Sequence, residues 1–159
     1  MNPRMPKTER HFEDYQAGMI VEWGEVGVND EEILQFSRRF DPQDMHADPE
    51  RAKFGPFGGI IASGWHTAAL TMRLVVERYL SKVSSLGSPG LDELRWALPV
   101  RPGDRLRVRV TVLETRPSQS KPDRGIVTSL VEVFNQEGEL VMSLKPVNLM
   151  RCRRAAAAR

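Results

Sequence analysis

The chain has 159 residues, 40% of them hydrophobic and 28% charged, which suits one soluble domain with one core and leaves no room for separate cofactor and substrate domains. Its 23 basic and 21 acidic residues are interspersed and leave a net charge of +2, too balanced for a nucleic-acid-binding surface. No run approaches the roughly 20 apolar residues of a membrane span, and a lone cysteine, Cys152, excludes an internal disulfide framework and argues against a thiolate metal centre.

Residues 1–11 read as a polar leader whose basic start has no apolar segment behind it, so a cytoplasmic protein is expected. Residues 12–151 then form the domain and 152–159 an alanine-rich tail. The partly alternating run from Met19 to Val28, bounded by Gly18 and Asn29, predicts a strand. Asn29 and Asp30 cap a helix with Glu31 and Glu32 in its first turn and Ile33, Leu34, Phe36 and Phe40 on its apolar face, and Pro42 stops it. From Phe40 to Gly59 the chain is crowded with Pro, Gly and Asp, which predicts a loop with one helical turn starting at Pro49.

A helix is predicted from Ser63, its N-cap, to about Val83. It is apolar on more than one face and therefore buried, and the charges Arg73, Glu77, Arg78 and Lys82 in its later half predict that it leaves towards solvent. After the break SSLGSPG come four strands, Leu91 to Leu98, Asp104 to Glu114, Gly125 to Phe134, and Glu139 to Met150, the last expected to be the longest. In the second of these Arg105, Arg107 and Arg109 alternate with Leu106, Val108, Val110 and Val112, the period of a sheet with one wet face. A strand, a long helix and then antiparallel strands give an α+β domain, a curved antiparallel sheet wrapped around a long central helix. Such a sheet has an exposed edge, and pairing with a second copy would protect it, so a homodimer or a dimer-based oligomer is expected.

Of the three histidines, His46 alone has company, five residues after Asp41 in the loop before the long helix. His11 lies in the leader and reads as a surface residue, and His66, beside Trp65, as a half-buried polar group behind the site. Asp44, His46 and Asp48 make a thin metal set, better explained as turn-forming aspartates, and no HExxH or paired-cysteine pattern supports them. No serine stands in a G-x-S-x-G elbow, and GGIIASG lacks the lysine of a phosphate loop. Carboxylate and imidazole acid/base chemistry remains, because a carboxylate can hold a water while an imidazole exchanges protons near neutrality.

The stretch from Asp41 to His46 resembles the D-x-N-P-x-H core of the MaoC-like, R-specific enoyl-CoA hydratases. FGPFGGIIASGWHTAAL resembles the segment that leads into that family's helix, and LRWALPVRPGDRLRVRVTV its P-V-R-P-G-D turn and following strand, so the likeness runs from about Phe12 to Arg151. The resemblance implies a hot-dog fold in which Asp41 and His46 activate a water that adds to C3 of a trans-2-enoyl-CoA, with no cofactor beyond the coenzyme A carried by the acyl-CoA substrate. It implies a backbone oxyanion donor at Gly64, although a glycine there equally suits close approach of helix and sheet, and oxyanion or substrate contacts at Ser63 and Gln43. Four residues depart from the family pattern: Gln43 replaces Asn, Asp44 replaces Pro, Phe40 a frequent Gly, and Ser63 a frequent His. Phe57, Trp65 and His66 are candidate pocket residues, although both aromatics also suit a plain core. Arg95, Arg101, Lys121 and Arg124 are the pool from which phosphate contacts would come, none assigned.

Two other readings remain open. A hot-dog thioesterase places a carboxylate on or near the central helix, but the helix here has no acidic residue before Glu77. A non-catalytic acyl-CoA-binding partner subunit would have no need of both Asp41 and His46.

Overall fold

The computed structural model describes residues 9–154; the rest of the leader and of the alanine-rich tail lie outside them. Five strands, β1 (Ile20–Gly27), β2 (Gly90–Trp96), β3 (Arg105–Pro117), β4 (Arg124–Phe134) and β5 (Leu140–Arg151), form one antiparallel sheet in the order β1-β3-β4-β5-β2. Four helices accompany it: α1 (Asp30–Phe40), α2 (Asp44–Ala47), α3 (Pro49–Ala52) and α4 (Gly64–Arg78).

Period-two patterning in β3 does what the sequence requires. Leu106, Val108, Val110 and Val112 are each at most 1% exposed, whereas Arg105 and Arg107 face solvent. On β4, Val127, Val131 and Val133 continue the same layer. Each such burial contributes about 2 kcal/mol, so this stripe is the main reason the strands cannot slip register. Register shifts at Gly24/Val26, Val112/Glu114, Val133/Phe134 and Asp92/Arg95 add local twist and bend the sheet. Helix α4 packs across β1 and β3, with Leu74 and Val75 in the core and the Trp23 Nε1–H of β1 donating to the Leu74 carbonyl at 3.0 Å.

The structure corrects five expectations. β3, at 13 residues, is longer than β5, at 12, because its pairing resumes past the bulge, Glu114 to Pro117 lying opposite Thr128 to Gly125. α4 ends at Arg78 rather than near Val83: the Tyr79 carbonyl accepts from Tyr15 Oη at 2.8 Å, and Tyr79 Oη bonds Ser129 Oγ at 2.6 Å, so the sheet side captures the chain there. Tyr79, Leu80 and Ser81 are buried, so the helix does not leave towards solvent. Nor is α4 buried all round, since Trp65 and Met72 are exposed. On α1, Ile33 is fully buried but Phe40 is 61% exposed, with the Arg39 guanidinium 4.8 Å over its ring.

The leader is tied down from Arg10 onward. Its Nη1–H donates to the Arg78 carbonyl, and Phe12 packs on Gly125, where any side chain would overlap the phenyl ring. Arg153 reaches back to Glu13 and Asp14. No described helix is long and apolar enough to cross a membrane.

Candidate active site

The segment between α1 and α4 builds the site from short, capped pieces. Asn29 caps α1 by accepting from the Glu32 N–H at 2.8 Å, and Arg38 and Arg39 in its last turn suit the negative helix end. Pro42 cannot continue the helix, which leaves Asp41 as its C-cap, out of helical geometry at φ −149° and ψ 70°. The expected loop then contains two helical turns rather than one. In α2 the Gln43 carbonyl accepts from His46 and Ala47 N–H, and in α3 Asp48 accepts from Glu50 and Arg51 N–H with Pro49 at the first position.

The Ile61 backbone fixes the histidine. Its N–H donates to the Met45 carbonyl at 3.0 Å, and its carbonyl accepts from His46 Nδ1 at 2.8 Å. A carbonyl can only accept, so Nδ1 carries the proton and the neutral ring presents Nε2 as its basic nitrogen. That Nε2 stands 3.5 Å from Asp41 Oδ2, longer than a firm hydrogen bond and close enough for both to flank one water.

Asp41 is held by two more donors. Ser63 Oγ–H donates to Oδ2 at 2.6 Å and Gln43 Nε2 to Oδ1 at 2.7 Å. The Ser63 hydroxyl, then the Gln43 amide, and last the nearby His46 hold the carboxyl below its ordinary value against a smaller opposing effect of burial, so Asp41 is a carboxylate at neutral pH. Ser63 also caps α4, accepting from Trp65 N–H at 3.3 Å. Both departures from the family pattern at Gln43 and Ser63 thus bear directly on the Asp41 carboxylate.

This arrangement makes a prediction for Ser63→Ala. Removing the largest stabiliser of the charged form raises the Asp41 pKa, which carbon NMR of the side-chain carboxyl reads directly. Because the folded pKa is depressed, its contribution to stability is complete above about 3.8 and is lost as pH falls through the lower folded value. The stability difference between wild type and variant should therefore be greatest near neutrality, where loss of the cap adds about 1 kcal/mol, and shrink below pH 3.8. An unchanged Asp41 titration would show that the hydroxyl does not govern the carboxylate.

Asp41, Gln43 and His46 open onto a cleft of about 460 Å³, whose other walls include Gly64, Phe57, Trp65, Trp96, Leu98 and Val141. Gly64 begins α4, so its N–H belongs to the first turn, where helical partners are lacking and the dipole is positive. Among the described residues no acceptor meets that N–H. Phe57 and Trp65 line the cleft as expected, although Trp65 is 59% exposed and so not core. His66 does not line it. Its ring stacks on Phe36 of α1 with centroids 4.9 Å apart, and burial pushes its pKa below the ordinary value. Asp44 and Asp48 both engage Arg51, at 3.2 and 3.6 Å, as turn-forming aspartates would.

Two contributors escaped the sequence. The Ile61 carbonyl acts through its backbone, for which no side-chain pattern exists. Trp96 reads from sequence as core or interface packing, yet it is 46% exposed and lines the cleft. Its place at the end of an edge strand, just before the turn of the P-V-R-P-G-D segment, was the available signal.

Residues 15–133 match the MaoC like domain family. A MaoC-like dehydratase from Rhodospirillum rubrum has a solved structure that superposes with a TM-score of 0.84 at 40% identity, covering 91% of this chain and 99% of that one. The 3-hydroxyacyl-thioester dehydratase Z of Mycobacterium tuberculosis is 36% identical over 110 residues, 68% of this chain and 73% of that protein. An (R)-hydratase from A. caviae involved in PHA biosynthesis superposes with a TM-score of 0.69 at 26% identity, covering 85% and 96% of the two chains. With most of the chain matched to the family and the fold superposing over 91% of the chain, this protein belongs to the MaoC-like dehydratase family and has its hot-dog fold.

Proposed function

We propose that the protein reversibly hydrates a trans-2-enoyl-CoA to an R-3-hydroxyacyl-CoA, with Asp41 and His46 as the acid/base pair. The observation that carries this reading is the free Nε2 of His46 beside the Asp41 carboxylate at the mouth of the cleft. In hydration the pair holds one water and removes a proton from it as its oxygen bonds to C3. Electron density moves to the thioester oxygen, and a proton returned at C2 completes the addition, so nothing leaves. Dehydration reverses these steps. The Gly64 N–H is the donor to the thioester oxygen, in a first helical turn that favours negative charge. The similarity to a 3-hydroxyacyl-thioester dehydratase and an (R)-hydratase supports the substrate class and the hand of the product.

A thioesterase needs a carboxylate placed against the thioester carbonyl. On α4 the first acidic residue is Glu77, an exposed residue that does not line the cleft, so Asp41 is the acidic group that lines it and the reaction it serves is decided by assay. Assays that follow enoyl-thioester absorbance and free thiol together separate the two reactions, and chiral analysis of the product checks the hand. Hydration without thiol release is expected; thiol release at a comparable rate would replace this proposal with hydrolysis.

We also propose a homodimer. β2 is an edge strand, and Leu91 on it is exposed, an edge that a second copy would pair with and cover. Sedimentation should give about twice the 18.0 kDa chain mass at micromolar concentration. A single 18.0 kDa species would refute the pairing.

A further inference from the structure

Trp96 is held as firmly as a core residue while lying at the surface. Its Nε1–H donates to the Gly64 carbonyl at 3.0 Å. A Cβ on Gly64 would overlap the indole, standing 2.6 Å from Nε1 and 2.7 Å from Cδ2, so the ring lies flush against the glycine and only glycine admits it there. Trp65 meets it edge to face, with centroids 5.3 Å apart and planes at 79°. Stacking of this kind fixes orientation as well as position.

The reach of this ring follows from Gly64, and here the inference rests on the hydratase reading. A thioester oxygen accepting from the Gly64 N–H stands about 2.9 Å from that nitrogen. The carbonyl carbon then lies beside Gly64 with C2 on one side of it and the sulfur on the other, and the indole packed on Gly64 lines the same cleft. Leu98 and Val141 also line the cleft, but the atoms nearest a Cβ on Gly64 all belong to the indole.

We propose that Trp96 sets specificity at C2 of the acyl group: its indole leaves space for the single hydrogen of a straight-chain enoyl thioester and collides with a 2-methyl branch. The substrate class is thus the C2-unbranched enoyl thioesters.

The test compares hydration of crotonyl-CoA with that of trans-2-methyl-2-butenoyl-CoA by wild type, Trp96→Phe and Trp96→Leu, with folding checked by circular dichroism. A methyl group in a shaped pocket is worth roughly 10- to 200-fold in kcat/KM, so wild type should favour the unbranched substrate by about 100-fold. Both variants should narrow that ratio about tenfold or more, chiefly by gaining on the branched substrate, and comparing ratios cancels the lower intrinsic reactivity of the branched alkene. Phe keeps an aromatic filler should Leu fail to fold. Equal handling of both substrates by wild type, or an unchanged ratio in folded variants active on crotonyl-CoA, overturns the role of Trp96 and leaves the hydratase reading standing. Absence of crotonyl-CoA hydration by wild type brings down both.

Discussion

Asp41→Asn should lower kcat/KM for enoyl-CoA hydration by about 10³-fold, and His46→Gln by a similar factor, within the range of general acid/base groups. The double variant should lose little more than either single one. Two groups that hold the same water act as a unit, so their losses do not multiply. Neither substitution should unfold the protein. Asparagine keeps an oxygen to accept from the Ser63 hydroxyl, and glutamine keeps an amide that can donate toward the buried Ile61 carbonyl, which would cost about 1–3 kcal/mol if left alone. Near wild-type melting temperatures with lost turnover would separate chemistry from folding. Multiplying losses in the double variant would instead mean that the residues act on different atoms.

Gly64→Ala is the second large effect. The N–H survives, but the new methyl overlaps the Trp96 indole, so either the ring leaves or the first turn of α4 shifts. A displacement of about 1 Å at a donor that must meet developing charge costs on the order of 10²-fold in rate. The expected loss falls on kcat more than on KM, because the donor matters most when charge has built up on the oxygen. Stability should drop as well, since overpacking costs about 1–3 kcal/mol. Wild-type kcat in Gly64→Ala would show that neither the indole nor the first turn is set by the missing side chain.

Much of this site is legible in the amino-acid sequence, and for physical reasons. Asp41 and His46 are close along the chain and joined by a loop that a proline must open, so their nearness is local, while Ile61 and Ser63, 15 and 22 residues away from His46 and Asp41, fix how they face each other. Alternation in β3 places its buried stripe because period-two patterning is decided residue by residue. The end of α4 is not legible: it depends on Tyr15 and Ser129, residues 64 and 50 positions from Tyr79. Trp96 is hidden for the same reason, since its anchor, Gly64, lies 32 residues away and marks the contact only by lacking a side chain. His66 misleads in the opposite direction. Its nearness in sequence to Gly64 suggests the cleft, but one helical turn spreads its residues around the axis, and this one meets Phe36 instead.

Whether the Asp41 carboxylate drives hydration of an enoyl thioester is decided by mixing crotonyl-CoA with wild type and with Asp41→Asn and following the enoyl-thioester absorbance. A rapid fall to equilibrium is expected with wild type, without free thiol, and a rate about 10³-fold lower with the variant. Unchanged absorbance with wild type, or equal rates in the two proteins, would contradict the assignment of the reaction and of its acid/base pair.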